Sequence, residues 1–246
     1  YDVPAGFLAL CTKNLTDCAV TPSEHFNVVT YDGTGLERDV TGFGFNPDFG
    51  WLKDRTSTGA HALFDAVRGG DGSDLYVMRS NATTPEAADG DQVKAFVTDG
   101  FKVSTSAMVN NGSRTYVAWG WKANGAGSSN EEGSINTTST SANTDAGFSI
   151  STYTGNETVG ATIGHGLNEA PTLVIVKKRD THSYPWVVGS LQSLASMDFT
   201  DAMYLDQTVA VLDEHAFWND EEPTSTLVEL GDGSYVNLSG GTYVMY

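Results

Sequence analysis

The sequence predicts an all-β protein made of two tandem β-sandwich modules, jelly-roll-like in type, that arose by internal duplication. The first observation is a repeat: FNVVTYDGTG at residues 26–35 returns as FSISTYTGNE at residues 148–157. The second is that each copy closes on a similar phrase, TYVAW at 115–119 and TYVMY at 242–246. The third is that many short apolar segments are separated by Gly and Asn, a pattern that is typical of β-sandwiches.

Four segments follow from the repeat, in chain order. Residues 1–25 are predicted to be a lead-in whose PAGFLAL stretch anchors on a domain, and residues 26–122 form the first module. Residues 123–147 are rich in Ser, Thr, Asn and Gly, which indicates either a linker or an edge hairpin. Residues 148–246 form the second module.

Each matched phrase predicts a strand or a turn. In the phrase FNVVTYD, side chains alternate with a period of two, and DGTG or TGNE then supplies a turn. The next pair, PDFGWLKDR at 47–55 and PTLVIVKKR at 171–179, places a proline just before a strand, where a missing N–H is tolerated. Helical signal is thin: only PEAA at 85–88 and parts of the middle segments of the copies could make a turn or two.

The charge excludes some partners. The 246 residues contain 31 acidic and 13 basic side chains, a formal net charge of −18. Binding to nucleic acids or to anionic membranes requires Lys and Arg, so binding to nucleic acid is not expected. No apolar run is long enough for membrane insertion. A scattered acidic surface suits solubility, multivalent cations or a saline medium.

Seven motifs carry a family resemblance. They are PAGFLALCTKNL, FNVVTYDGTG, GFGFNPDFGWLKDR, LFDAVRG at 63–69, DGFKV at 99–103, TYVAWGWKANG and SANTDAGFSISTYTG. Together they resemble a β-module of virion structural proteins of tailed phages, especially marine ones, that often occurs in tandem and follows a concanavalin-like domain. The resemblance implies a location on the virion surface, and it implies no catalytic residue.

A catalytic role has little support in the sequence. The G-x-S-x-G, H-E-x-x-H and P-loop motifs do not occur, so we expect no enzyme and no cofactor. A carbohydrate-active enzyme is the remote alternative. Acidic residues in Gly-rich turns predict at most Ca²⁺ as a structural ion, and the plainer interpretation is ordinary turn chemistry. The candidate ligands are Asp71, Asp74, Asp89, Asp91 and Asp232.

Aromatic residues in the divergent middle of the second module are candidates for binding a host glycan. Loops that diverge on a repeated scaffold often carry binding functions, and exposed aromatic rings stack on sugars. The candidates are Tyr184, Trp186, Phe217 and Trp218, with ordinary core packing as the alternative. By contrast, Trp51, Trp119 and Trp121 lie in repeated strand phrases and are expected in the core.

Two further patterns concern covalent chemistry. Cys11 and Cys18 flank a short loop, which permits a local disulfide or two free thiols. Six N-x-S/T sequons would become glycosylation sites in a host that glycosylates: Asn14, Asn81, Asn111, Asn136, Asn156 and Asn237.

The expected function is therefore a non-enzymatic structural protein on the surface of a tailed virus particle. A tail fibre or appendage module with a role in host attachment is the first expectation, and a capsid decoration or turret protein that stabilises the head is the alternative. Expected partners are other virion proteins and copies of the chain itself, with a trimer favoured.

Overall fold

A computed structural model describes residues 20–88, 91–181, 183–191 and 197–246. Cys11, Cys18, Asn14 and Asp89 lie outside the described residues, so their predicted roles stay predictions. Within the described ranges the chain is almost entirely β, which confirms the predicted class. No helix in these ranges has the length and apolar character that crossing a bilayer requires.

The first sandwich follows a short 3-10 helix at Pro22–Glu24 and has seven strands among its described residues. They are β1 (Phe26–Asp32), β2 (Arg38–Thr41), β3 (Phe49–Asp54), β4 (Ala62–Asp65), β5 (Val93–Val97), β6 (Gly100–Val103) and β7 (Thr115–Trp121). A four-stranded antiparallel sheet of order β1-β7-β3-β4 faces a three-stranded sheet of order β2-β6-β5. Tyr31, Leu52 and Phe64 of the larger sheet pack against Val40 and Phe101 of the smaller one.

The second sandwich has nine strands and two helices of one turn each in the described residues. The strands are β8 (Ser139–Asn143), β9 (Phe148–Thr154), β10 (Ala161–Gly164), β11 (Leu173–Lys178), β12 (Trp186–Ser190), β13 (Asp201–Tyr204), β14 (Leu212–Asp213), β15 (Leu227–Leu230) and β16 (Thr242–Met245). The helices are α1 (His215–Trp218) and α2 (Ser234–Asn237). The large sheet has the order β14-β13-β12-β11-β16-β9-β8, and β10 pairs with β15 opposite it.

The strand orders confirm the duplication. The order β1-β7-β3-β4 in the first sandwich corresponds to β9-β16-β11-β12 in the second, and the pair β2-β6 corresponds to β10-β15. The second copy extends its sheet at one end with β13 and β14 and at the other with β8. The Ser- and Thr-rich segment before the second copy therefore contributes the edge strand β8.

The repeated tyrosines form the same structure in both copies. The rings of Tyr31 and Tyr116 stack with centroids 5.2 Å apart, and those of Tyr153 and Tyr243 do the same at 5.2 Å. The hydroxyl of Tyr31 donates to the carbonyl of Val109 (2.6 Å), and the Tyr153 hydroxyl makes the equivalent bond in the second copy. Burial raises the pKa of both hydroxyls, so they stay protonated as donors.

The repeated glycine is explained by a close backbone approach. A Cβ at Gly33 would lie 2.0 Å from the carbonyl oxygen of Asn111, and a Cβ at Gly155 would lie 2.5 Å from that of Leu238. No side chain fits at such distances, so glycine is required at this point of each copy.

A buried asparagine holds the same turn in each copy. The amide of Asn110 donates to the carbonyls of Leu36 (2.6 Å) and Ser104 (2.8 Å), while its oxygen accepts from the N–H of Thr34 (2.9 Å). Asn237 bridges its own turn with the same three kinds of bond. The sequence repeat thus preserves hydrogen bonds as well as strands.

Candidate functional site: the junction and its cavity

The two sandwiches pack together through the outer faces of their large sheets. A cluster of buried side chains contains Phe49 and Leu63 from the first sandwich and Ile150, Trp186 and Val244 from the second. Each of these side chains points away from the interior of its own sandwich, because strand residues alternate between faces. The junction is therefore a third apolar core, and neither sandwich could complete it alone.

Aromatic rings dominate this core. The ring of Phe49 lies 4.9 Å from that of Tyr246 and 5.9 Å from that of Phe148. Trp121 lies against Phe148 at 6.2 Å, and Trp186 lies against Tyr246 at 6.5 Å. Centroid distances of 4.5–7 Å are those at which aromatic pairs attract beyond their buried area.

A chain of alternating charges crosses the junction beside the rings. The buried carboxylate of Asp65 accepts bonds from Arg68 Nε (2.5 Å) and from the hydroxyl of Tyr246 (2.6 Å). Arg68 Nη1 lies 3.4 Å from Glu86, and Glu86 accepts a bidentate pair of bonds from Arg179 (2.8–3.0 Å). Because Asp65, Arg68 and Glu86 belong to the first sandwich and Arg179 and Tyr246 to the second, the chain ties the two together.

Burial and neighbouring charges set the pKa values of the side chains in this row of charges. Burial opposes the charged form of Arg68, but its hydrogen-bonded and charged partners, Asp65 first and Glu86 after it, together outweigh burial and raise the pKa of the guanidinium. Burial, with the charge of Asp65, raises the pKa of Tyr246 far above its usual value, so the hydroxyl is a hydrogen-bond donor at neutral pH.

Residues 79–88 of the first sandwich form a strap over the second. Trp186 Nε1 donates to the carbonyl of Arg79 (2.9 Å), and the N–H of Glu86 donates to the carbonyl of Arg179 (3.0 Å). The buried Lys177 donates to the carbonyls of Tyr184 (2.7 Å) and of a strap residue, Thr83 (3.4 Å). Burial lowers the pKa of Lys177 to about 8.

A cavity of about 290 Å³ lies at this junction. Its walls include the rings of Trp51, Trp121, Phe148, Trp186 and Tyr246. It also reaches the interior of the second sandwich, where buried aliphatic side chains line it: Val174, Val228 and Met245. Apolar residues at its rim are exposed, Leu173 by 45% and Leu205 by 37%.

His165 also lines this cavity and is neutral in its buried position. The N–H of Leu167 donates to its Nδ1 (3.2 Å), which leaves Nε2 to carry the proton toward the carbonyl of Thr224 (3.2 Å). Burial lowers the pKa of the imidazole, which agrees with this neutral tautomer. Both ring nitrogens are used within the protein.

Three of the four predicted glycan-stacking residues are core residues. Trp186 and Trp218 are fully buried and Phe217 is 5% exposed, so none presents a ring face to solvent. Tyr184 is half-buried and packs edge-on against Tyr235. The prediction of a surface platform at these residues is corrected by their burial, because the divergent segment forms strand β12 and helix α1 where loops were expected.

Two of the repeated tryptophans, Trp51 and Trp121, pack against a core as expected, but this core is the junction. Trp51, Trp119 and Trp121 are half-buried on the outer face of the first sandwich and lie outside its interior. Trp51 and Trp121 line the cavity, and the indole N–H of Trp51 donates to His61 Nδ1 (2.8 Å).

The four candidate calcium ligands that the structure describes are not gathered around one point. Asp71 caps its own turn by accepting from the N–H groups of Ser73 and Asp74, and Asp232 is exposed in another turn of the second sandwich. Lys94 Nζ lies 2.9 Å from Asp74 and 3.8 Å from Asp91, so a lysine already pairs with both carboxylates. Among the described residues no group of three or more metal-ligating side chains occurs, and calcium stays a prediction.

The described sequons differ in access. Asn81, Asn136 and Asn156 are exposed and Asn111 is half-buried. Asn237 is fully buried and makes three hydrogen bonds, so the folded chain does not present it for glycosylation.

The comparisons with known proteins place the chain in a family. Residues 21–246, which span both sandwiches and the junction, match the model of a family described as a domain of unknown function, DUF7483. The chain belongs to this family. No curated protein and no solved structure matches it.

The charged members of the junction were not singled out from the sequence, and Trp186 was singled out for another role, although one signal pointed to this contact. The aligned copies differ there: Asp65 occupies the register position that Ser190 has in the second copy, and Tyr246 corresponds to Trp119 of the first. A repeat loses its symmetry where one copy must contact the other, so these differences mark the contact.

Proposed function

We propose that the chain is a non-enzymatic structural unit on the surface of a tailed virus particle, in a tail fibre or appendage that takes part in host attachment. The observation that carries the proposal is the junction. Two domains of one chain move relative to each other by default unless their interface is large and apolar. Here an aromatic core, a chain of buried charges and a strap hold them together.

Such a unit bears mechanical load and holds its neighbours in place, and it catalyses no reaction. The ion pairs specify one arrangement of the sandwiches, because displacing either would leave buried charges unpaired. The strongly acidic composition keeps the outside hydrated and soluble. A stiff, soluble, two-sandwich segment suits a part that repeats along an appendage or packs against neighbouring virion proteins.

The test is immunogold labelling of intact particles of the virus that encodes the chain. Gold confined to the tail or its fibres is the expected result. Gold spread over the head would replace the appendage with a head decoration protein, the second expectation from the resemblance. Particles without gold would refute a virion surface location, provided that the antibody detects the chain on a blot of disrupted particles.

Self-association is part of the same proposal and has its own measurement. Multi-angle light scattering of the purified chain is expected to give three times the monomer mass. The mass of a monomer across the micromolar range would refute the trimer. It would not affect the proposal that the junction makes the two sandwiches one rigid unit.

A further inference from the structure

We propose that the junction cavity is a binding site for a small apolar ligand of about two fused rings or an equivalent aliphatic chain, and that it rejects saccharides. The volume sets the size of the ligand. An engineered apolar cavity of about 150 Å³ binds benzene, and this one, at about 290 Å³, has room for roughly twice that ligand.

Hydrogen bonding sets the chemistry. Four polar groups on the wall already have partners within the protein: Trp51 Nε1 with His61, Trp186 Nε1 with Arg79, the Tyr246 hydroxyl with Asp65, and both nitrogens of His165. A sugar would lose its bonds to water on entering and would find these four groups taken, with few other polar groups on the wall, the hydroxyls of Ser149 and Thr172 among them. A ligand without polar groups loses nothing in this way.

The walls and the rim suit the same class of ligand. Trp121, Phe148 and Tyr246 present aromatic surface, and Met245 offers a side chain that adapts its shape to a guest. At the rim, Leu173 is 45% exposed, although the other residues of its strand are almost all covered. An apolar side chain therefore lies at the entrance of the cavity. The site does not depend on the proposed virion location.

The test uses the full chain and 1-fluoronaphthalene, followed by ¹⁹F NMR. We expect one saturable site with a dissociation constant of about 10–100 µM, the range for an apolar ligand of this size. Methyl β-glucoside, observed by saturation-transfer difference at the same concentrations, is expected to show no transfer.

Two substitutions locate the site. Leu173→Trp places a larger side chain at the rim and is expected to weaken binding at least tenfold. Leu36→Trp is the matched control, since Leu36 is the more exposed leucine (71%) and does not line the cavity. Circular dichroism melting of both variants establishes that each is folded.

Several outcomes would overturn the proposal. One is the absence of saturable binding to the wild-type chain, and another is equal loss or equal retention of binding in the two variants. Transfer to the glucoside without naphthalene binding would reassign the cavity to saccharides. The wild-type chain could fail to bind 1-fluoronaphthalene while a variant with residues 6–10 (GFLAL) replaced by Gly and Ser binds it. That result would assign the cavity to the chain's own apolar segment.

Discussion

The ion pair between Glu86 and Arg179 should be one of the strongest single links across the junction. Glu86→Ala and Arg179→Ala each remove one partner of a bidentate pair whose three bonds measure 2.8–3.0 Å. The backbone bond between the same residues survives both changes, so the substitutions report on the side chains. Glu86→Gln keeps the shape and removes only the charge.

The expected magnitude follows from exposure. The side chains of Glu86 and Arg179 are 14% and 18% exposed, which places the pair between a surface pair and a fully buried one. Exposed pairs contribute about 0–1 kcal/mol, and breaking a buried pair costs about 3–5 kcal/mol. We therefore expect each alanine variant to lose about 2–3 kcal/mol of unfolding free energy, with a coupling of about 1–2 kcal/mol in the double-mutant cycle.

The assay is urea unfolding followed by tryptophan fluorescence and by far-UV circular dichroism. The wild-type chain is expected to show coincident transitions, because the junction makes the two sandwiches one cooperative unit. The internal control is the cycle for Asp39 and Lys102, a pair at 2.8 Å whose side chains are 49% and 34% exposed. Its coupling should be much smaller than that of Glu86 and Arg179 and should vanish in 1 M salt.

Equal couplings in the two cycles would refute the argument from burial. Separate transitions of the two sandwiches in the wild-type chain would refute the cooperative junction itself, and with it the physical basis of the proposed rigid unit.

Three further predictions concern other parts of the molecule. Asn110→Ala and Asn237→Ala should each lower the free energy of unfolding by about 2–4 kcal/mol, because each change removes three hydrogen bonds from a buried turn. Exposed Asn136→Ala should change it by less than about 0.5 kcal/mol in the same urea assay. Lys177 has a pKa of about 8 in the folded chain, whereas an unfolded lysine has a pKa of about 10.4. Between these values the unfolded state binds more protons, so the free energy of unfolding should rise from pH 8 to about 9.5. Lys177→Met should flatten that rise. With a net charge of −18, the melting temperature should rise between 20 mM and 1 M NaCl, and an unchanged melting temperature would remove the inference of adaptation to salt.

The repeat predicted most of the fold because its physical causes lie within each copy. Gly33 and Gly155 are required by a backbone approach within each copy, and the phrases around Tyr31 and Tyr153 alternate because one face of each strand is buried. Both copies must satisfy the same requirements, so a single sequence displays them twice.

The candidate sites were predicted less well, for a reason that Trp186 makes plain. Its segment diverges between the copies, which favoured a surface loop, but the residue lies on β12 and is covered by the other sandwich. Periodicity can indicate that a strand has two faces. It cannot indicate that the outward face of one sheet will meet the outward face of another.

The sequence by itself determined the all-β class, the duplication, the strand-forming phrases and the acidic character of the surface. Only the tertiary structure decided that Asp65, Arg68, Glu86 and Arg179 form one charged chain, that Tyr246 closes it, and that a cavity remains beside it. The physical reason is range. Strands and turns depend on neighbours along the chain, whereas these charges and rings are separated by up to 181 residues and acquire their roles only when the two sandwiches exclude water between them.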